Sequence, residues 1–501
     1  MDVSTLLSWH YYREPHPVGY YLAMFGWTEL FGTSPATLRL PSAILGILSI
    51  PVIFRIGSLI YCRATGLIAS VFLAVHGFHI YWSQMARMYV PECFVGLAST
   101  WLLFEIFRAP RRSAIWEAAY VCSILAGLST EWFFWFLTFG QILIVLLHFQ
   151  AAPAGMRRLL YLQSFAIVLG GYTVTQAFLT HGEAGSGGPI SWDAIQRFLA
   201  FGYLTEADSW SIPQRAFPNW FLTTATILSI ILLVRGLTVQ STLPTPRDTE
   251  SPLSGPLLTA ALGMSVIMAG LTLRPGTRPL VLLAVFPFAV LAALAITKFA
   301  GPRLSALRSR LDKWVPLARS LFAPITVLAI VPVSLVFLVS VLQPIVVSRA
   351  LLVFVPYLLV LIAAGVHSFS GRTVVFFPLI IALAGFLVAT CLYFRAFPSS
   401  PIDYQTIATV INSQIEPGDV IVVPQRKWYF TPLFYYLDAS RLIGGDYSQT
   451  ISQLAPSRAW AVQMRETYLG PEIASALRGY KIIRETSVKG DRVFLMIRAA
   501  P

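Results

Sequence analysis

The chain has 501 residues, of which 56% are hydrophobic and 12% charged, where a soluble domain would carry about 25% charged residues. That much apolar surface has no place in a water-soluble core, and with the positive mean hydropathy it marks a polytopic membrane protein. The net charge of +13 is no nucleic-acid footprint, because most basic residues sit in short loops between apolar runs, where they set topology.

In chain order, Met1 to Glu14 lacks a positively charged stretch followed by an apolar one, so no signal peptide is expected. Residues 18 to 32 are apolar and aromatic but short, with Glu29 among them, and suit an interfacial helix lying along the membrane. About twelve candidate spans follow: 40–60, 65–82, 91–107, 114–128, 131–149, 159–179, 217–234, 255–273, 280–296, 320–342, 350–366 and 374–394. Several approach the ~20 residues that a bilayer core requires. The four cysteines have no metal-ligand spacing and read as packing residues.

Arginine sets the orientation. The connections that hold Arg63, Arg108, Arg111, Arg112, Arg157, Arg158, Arg235, Arg303, Arg308 and Arg372 belong on the cytoplasmic side. The N-terminal segment, residues 79–90, the loop 180–216 and the tail after Phe394 then share the outer face. After Phe397-Pro398-Ser399-Ser400-Pro401 the long apolar runs stop. A helix-like stretch (402–415) and strand-like ones (419–423, 457–463, 492–498) alternate around the turn Pro417-Gly418-Asp419. The expected domains are an extracytoplasmic segment 1–39, a transmembrane domain 40–395 and a small extracytoplasmic α/β domain 396–501.

Between two apolar runs lies a polar knot, His79 to Val90, containing Gln84, Arg87 and Tyr89. Arg87 either snorkels to the headgroups or faces a protein cleft and holds an anion. His76 and His79, at helical spacing near the end of a span, read as interfacial or hydrogen-bonded packing residues rather than ligands. Glu131 stands at the outer end of a span and faces either the cleft or the headgroups. The 180–216 loop mixes Trp192 and Trp210 with His181 and several carboxylates, which fits either a grip on an acceptor sugar or ordinary loop amphipathicity.

Three stretches in order carry a resemblance: Pro15-His16-Pro17-Val18-Gly19-Tyr20-Tyr21, then Leu38-Arg39-Leu40-Pro41-Ser42 opening a span, then Tyr81-Trp82-Ser83-Gln84-Met85-Ala86-Arg87-Met88-Tyr89. They resemble successive signatures of the GT-C glycosyltransferases, in the dolichyl-phosphate-mannose-protein mannosyltransferase and aminoarabinose transferase-like branch. Pro344 to Leu351, with Arg349, resembles the family's late arginine-containing start of a span, and Pro417-Gly418-Asp419 followed by Tyr435-Tyr436-Leu437 resembles its C-terminal domain.

The resemblance implies a GT-C type α-helical membrane protein in the cell membrane, its active face extracytoplasmic. It implies an inverting transfer of one sugar from a polyprenyl-phosphate carrier to a lipid, glycan or protein acceptor. His16, Arg87, Tyr89 and Arg349 are expected at the donor phosphate, with Gln84 in support, while Glu14 reads either as the carboxylate that activates the acceptor or as a solvated loop acid. Pro15 and Pro17 stiffen the backbone around His16. Against the family pattern, Met85 stands where relatives often carry Glu, and the family's acidic pair, expected before the His-Pro signature, is not seen in this chain. The latter keeps open a relative that binds lipid-linked sugar without transferring it. A flippase would want polar residues through many span centres, which are nearly charge-free here. No metal or other cofactor is expected, a divalent cation having no support in the residues.

Overall fold

The computed structural model describes residues 16–108, 114–147, 158–171, 219–237, 323–342, 348–369, 376–396, 403–423, 433–443, 447–463, 471–488 and 491–499, with a few single positions between. Glu14, the candidate spans 255–273 and 280–296 and nearly all of the loop 180–216 lie outside them. The chain divides into two compact units, Met1–Ala396 and Phe397–Pro501.

The first unit is helical. Its helix α1, Gly19–Phe31, covers most of the aromatic run 18–32 and leaves Leu30 and Phe31 exposed. Helix α2, Pro35–Ile60, starts earlier than the apolar run does. Ser34 explains the shift: its Oγ accepts the Thr37 N–H at 3.1 Å, and Pro35 fits the first turn, where its missing N–H costs nothing.

The expected span 65–82 is not one straight helix. Helices α3, Arg63–Ala74, and α4, Gly77–Ser83, meet at a bend of 61°. His76 makes the break. Its extended backbone ends one helix, and its side chain accepts the His79 N–H to cap the next. Thr390 Oγ1 takes up the Val75 carbonyl at 2.6 Å, so the carbonyl freed at the bend is satisfied, as a membrane interior demands.

Helix α5, Tyr89–Arg108, packs against α2, against α6, Ala114–Leu128, and against α7, Phe134–Leu147. Helices α8, Arg158–Gly171, α9, Asn219–Leu237, and α10, Pro324–Leu342, follow. The late span opens as a 3-10 helix, Ser348–Phe354, and continues as α11, Val355–His367. Val355 to Val366 are buried without interruption, as expected of a helix that is apolar on every face. Helix α12, Phe376–Ala396, closes the unit. Among the described residues three helices are long and apolar enough to cross a membrane, or four with the bent pair counted as one span.

The second unit carries a five-stranded mixed sheet in the order β2-β1-β3-β5-β4. Strand β1, Val420–Val422, runs parallel to both β2, Leu442–Ile443, and β3, Arg458–Gln463. Strands β4, Tyr480–Val488, and β5, Asp491–Arg498, extend it antiparallel. The turn before β1 bears a structural ion pair. Gly418 supplies the positive φ of 90°, and the buried Asp419 accepts from Trp460 Nε1 and from the Glu416 N–H, both at 3.0 Å, while facing Arg458 Nε at 3.2 Å.

Candidate functional site

The three sequence signatures meet at one end of the helical unit, and glycine makes the first contact possible. The Gly19 N–H donates to the Ser129 carbonyl at 2.8 Å, joining the first turn of α1 to the Ser129-Thr130-Glu131 turn between α6 and α7. A Cβ at Gly19 would stand 2.5 Å from both Ser129 O and Oγ, closer than any side chain tolerates. The second and third signatures join where Ser42 Oγ donates to the Arg87 carbonyl at 3.3 Å.

This docking sets His16 against Glu131, with Nδ1 and Oε2 2.9 Å apart. The contact is an ion pair when the imidazole is protonated. The other oxygen of Glu131 accepts the Trp132 N–H at 3.1 Å. Glu131 is 2% exposed, which decides between its two readings: it faces protein, not headgroups.

Sequence reasoning passed over Glu92, one turn into α5. It is fully buried, neither of its oxygens has a hydrogen-bond partner among the described residues, and Glu131 is near enough for the two charges to interact. An acidic residue inside an apolar run is costly unless the site uses it. A lone carboxylate between Pro91 and the apolar stretch from Cys93 onward was the available signal.

One turn before Glu92, Tyr89 accepts from Arg349 Nε at 2.5 Å. The guanidinium carbon lies 5.7 Å from the ring centre, and Trp82 meets the same ring edge-on at 4.8 Å. Two distant signatures, the polar knot and the 3-10 segment, are thus joined through one phenol. Arg87 and Gln84 have exposed side chains. The charge of Arg87 acts on Tyr20, whose hydroxyl is buried and has no partner among the described residues. Burial pushes the Tyr20 phenol up, the Arg87 charge opposing, so Tyr20 remains a proton-bearing donor at working pH. Of the expected residues, His16, Arg87, Tyr89 and Arg349 belong to this linked set, while Glu14 lies outside the described residues.

The arrangement offers an arginine-tyrosine pair and a second arginine for an anion, next to a histidine and two buried carboxylates for proton handling. Among the described residues no group of three or more His, Cys, Asp or Glu side chains is placed to hold a metal ion.

The class that the described residues define is a helical membrane protein with a small α/β domain. No family model and no curated protein matches the chain. It is similar to the crystal structure of ArnT from Cupriavidus metallidurans in the apo state, at 15% identity, covering 96% of this chain and 87% of that one with a TM-score of 0.43. The same protein bound to undecaprenyl phosphate gives 15%, 96%, 88% and 0.46. The Archaeoglobus fulgidus oligosaccharyltransferase in complex with Zn and sulfate gives 13% identity, 97% of this chain, 65% of that one and 0.46. At scores this low these likenesses carry no weight for what the chain binds or how it acts.

Proposed function

We propose that the chain is an inverting glycosyltransferase of the GT-C kind, moving one sugar from a polyprenyl-phosphate carrier to a lipid, glycan or protein acceptor on the extracytoplasmic face. The observation that carries the reading is the joining of the family-like signatures into one set of cations and buried carboxylates, His16–Glu131 on one side and Tyr89–Arg349 on the other.

The donor presents a phosphodiester anion and a sugar whose bond to phosphate breaks readily. Arg349, oriented by Tyr89, and Arg87 hold the phosphate oxygens and gain strength as negative charge grows on the leaving group. Tyr20 donates a further hydrogen bond. His16, kept in place by Glu131, adds a cation when protonated. We assign the base to Glu92, a buried carboxylate whose oxygens have no hydrogen-bond partner among the described residues and which, when ionised, receives the acceptor's proton. The acceptor oxygen or nitrogen attacks the anomeric carbon, the bond to the phosphate oxygen breaks, and the electron pair leaves on the polyprenyl phosphate. Glu14, on the proline-flanked stretch just ahead of His16, is the rival for the base.

The test uses the full chain in liposomes with radiolabelled polyprenyl-phosphate sugars, scoring transfer to lipid extracts and envelope fractions alongside binding of undecaprenyl phosphate. Glu92→Gln is expected to abolish transfer and retain binding, whereas Arg349→Ala weakens binding and transfer together. Loss of transfer on Glu14→Gln but not on Glu92→Gln would move the base to Glu14. Binding with no transfer from any donor would leave a protein that only holds lipid-linked sugar.

A further inference from the structure

Helix α5 and the segment that carries Arg349 touch a second time, deeper in the bundle. Tyr357 Oη donates to the Gly96 carbonyl at 2.9 Å and lies 2.8 Å from Thr100 Oγ1. A phenol has one hydrogen, so Thr100 is the donor in the second contact. Thr100 in turn accepts from Gln141 Nε2 at 3.0 Å, and the same amide donates to Ser99 Oγ at 2.8 Å. Ser99 passes its own hydrogen to the Gly96 carbonyl at 2.9 Å. On the far side of the amide, Tyr120 donates to Gln141 Oε1 at 3.1 Å and accepts from Gln163 Nε2 at 2.7 Å.

Every hydrogen from Gln163 to Gly96 therefore points the same way, through side chains that are all buried. The chain ends on a backbone carbonyl, which cannot carry a proton onward, so it is not a proton path. Its effect is to fix register, because in this environment no water replaces a broken bond.

Register matters most in the 3-10 helix. Seven residues, Ser348–Phe354, is long for a conformation with poor hydrogen-bond geometry, which seldom exceeds about four residues. It is tied at one end by Arg349 to Tyr89 and just past the other by Tyr357 to Gly96. Relaxation to an α-helix would shorten it by about 0.5 Å per residue, roughly 3 Å in all, and would turn Arg349 away from Tyr89. We propose that Tyr357 is a positioning residue: its bond to the Gly96 carbonyl holds the segment extended and so sets the Arg349 guanidinium where the donor phosphate binds. The inference rests on the proposed donor site.

The experiment measures undecaprenyl phosphate binding and thermal unfolding of the full chain in lipid nanodiscs, for the parent, Tyr357→Phe, Arg349→Ala and the double variant, with Thr100→Val as an independent break in the same chain. Tyr357→Phe is expected to weaken binding about fivefold to tenfold, and Thr100→Val to weaken it less. In the Arg349→Ala background Tyr357→Phe should weaken it no further, since the arginine it positions is gone. Binding by Tyr357→Phe equal to the parent's, or an equal further loss on top of Arg349→Ala, overturns the positioning role and leaves Tyr357 a packing residue. A parent that binds no polyprenyl phosphate overturns the donor site itself, and the positioning role with it.

Discussion

Gly19→Ala tests whether docking of α1 builds the site. The added Cβ would lie 2.5 Å from Ser129 O and Oγ and 2.7 Å from its Cβ, so α1 must retreat by about 1 Å to reach ordinary van der Waals contact. That retreat stretches the 2.8 Å bond from the Gly19 N–H to Ser129 O past useful range, at a cost of about 1 kcal/mol. Residual strain adds about 1–3 kcal/mol, and alanine's better helix propensity returns up to about 1 kcal/mol. The net, about 1–4 kcal/mol against docking, shifts the docked fraction by roughly fivefold to nearly a thousandfold. Undecaprenyl phosphate affinity and sugar transfer should fall by that order while the thermal midpoint of the whole chain hardly moves, since Tyr20 is the sole residue of α1 that is buried. Adding Ser129→Gly removes the Oγ and Cβ clashes but not the carbonyl one, so the pair should recover only in part. Gly19→Ala with the parent's affinity and rate would refute the idea that this contact places His16.

Arg349→Lys keeps the charge but loses the planar fork that reaches both Tyr89 and a phosphate, so it should recover only part of the binding that Arg349→Ala loses, an Ala loss of about 2–5 kcal/mol; full recovery would reduce the residue to a point charge. Asp419→Ala leaves the Trp460 indole N–H and the Arg458 cation without their buried acceptor, a loss of about 3–5 kcal/mol against typical domain stabilities of about 5–15 kcal/mol; proteolysis confined to Phe397–Pro501 is the readout, and parent-like resistance contradicts it. Reporter fusions at Arg111, Ser211, Arg308 and Gly418 should read inside, outside, inside and outside, and a cytoplasmic signal at Gly418 reverses the orientation.

Much of the fold was legible because two signals were strong. Long apolar runs located most of the helices that are described, and the proline-glycine-aspartate turn located β1 with Asp419 in the role that pins it. The rest failed for identifiable reasons. Hydropathy averages over a window, so it cannot see the bend at His76, which one side-chain cap creates. Nor does it separate the 3-10 opening of the late span from α11, since both are equally apolar. Strand β4 escaped because a register shift between Ile482 and Arg484 breaks its alternation and leaves Ile482 and Ile483 both exposed.

The site divides in the same way. Gly19 and Ser42, both inside the family-like signatures, are contacts that dock one segment on another, while Glu92 and Glu131, the buried carboxylates, stand outside the signatures. Docking requires a specific small or polar residue at a specific backbone position, and such a requirement leaves a readable spacing in the sequence. A carboxylate that serves by being buried and unpaired requires only a helix beneath it and a neighbour of like charge, so its one trace along the chain is a lone acid at an apolar run, as at Glu92. The signatures therefore mark the end of the bundle where we propose the chemistry, and burial without an ion-pair or hydrogen-bond partner among the described residues, which only three dimensions reveal, is what recommends Glu92 as the proposed base.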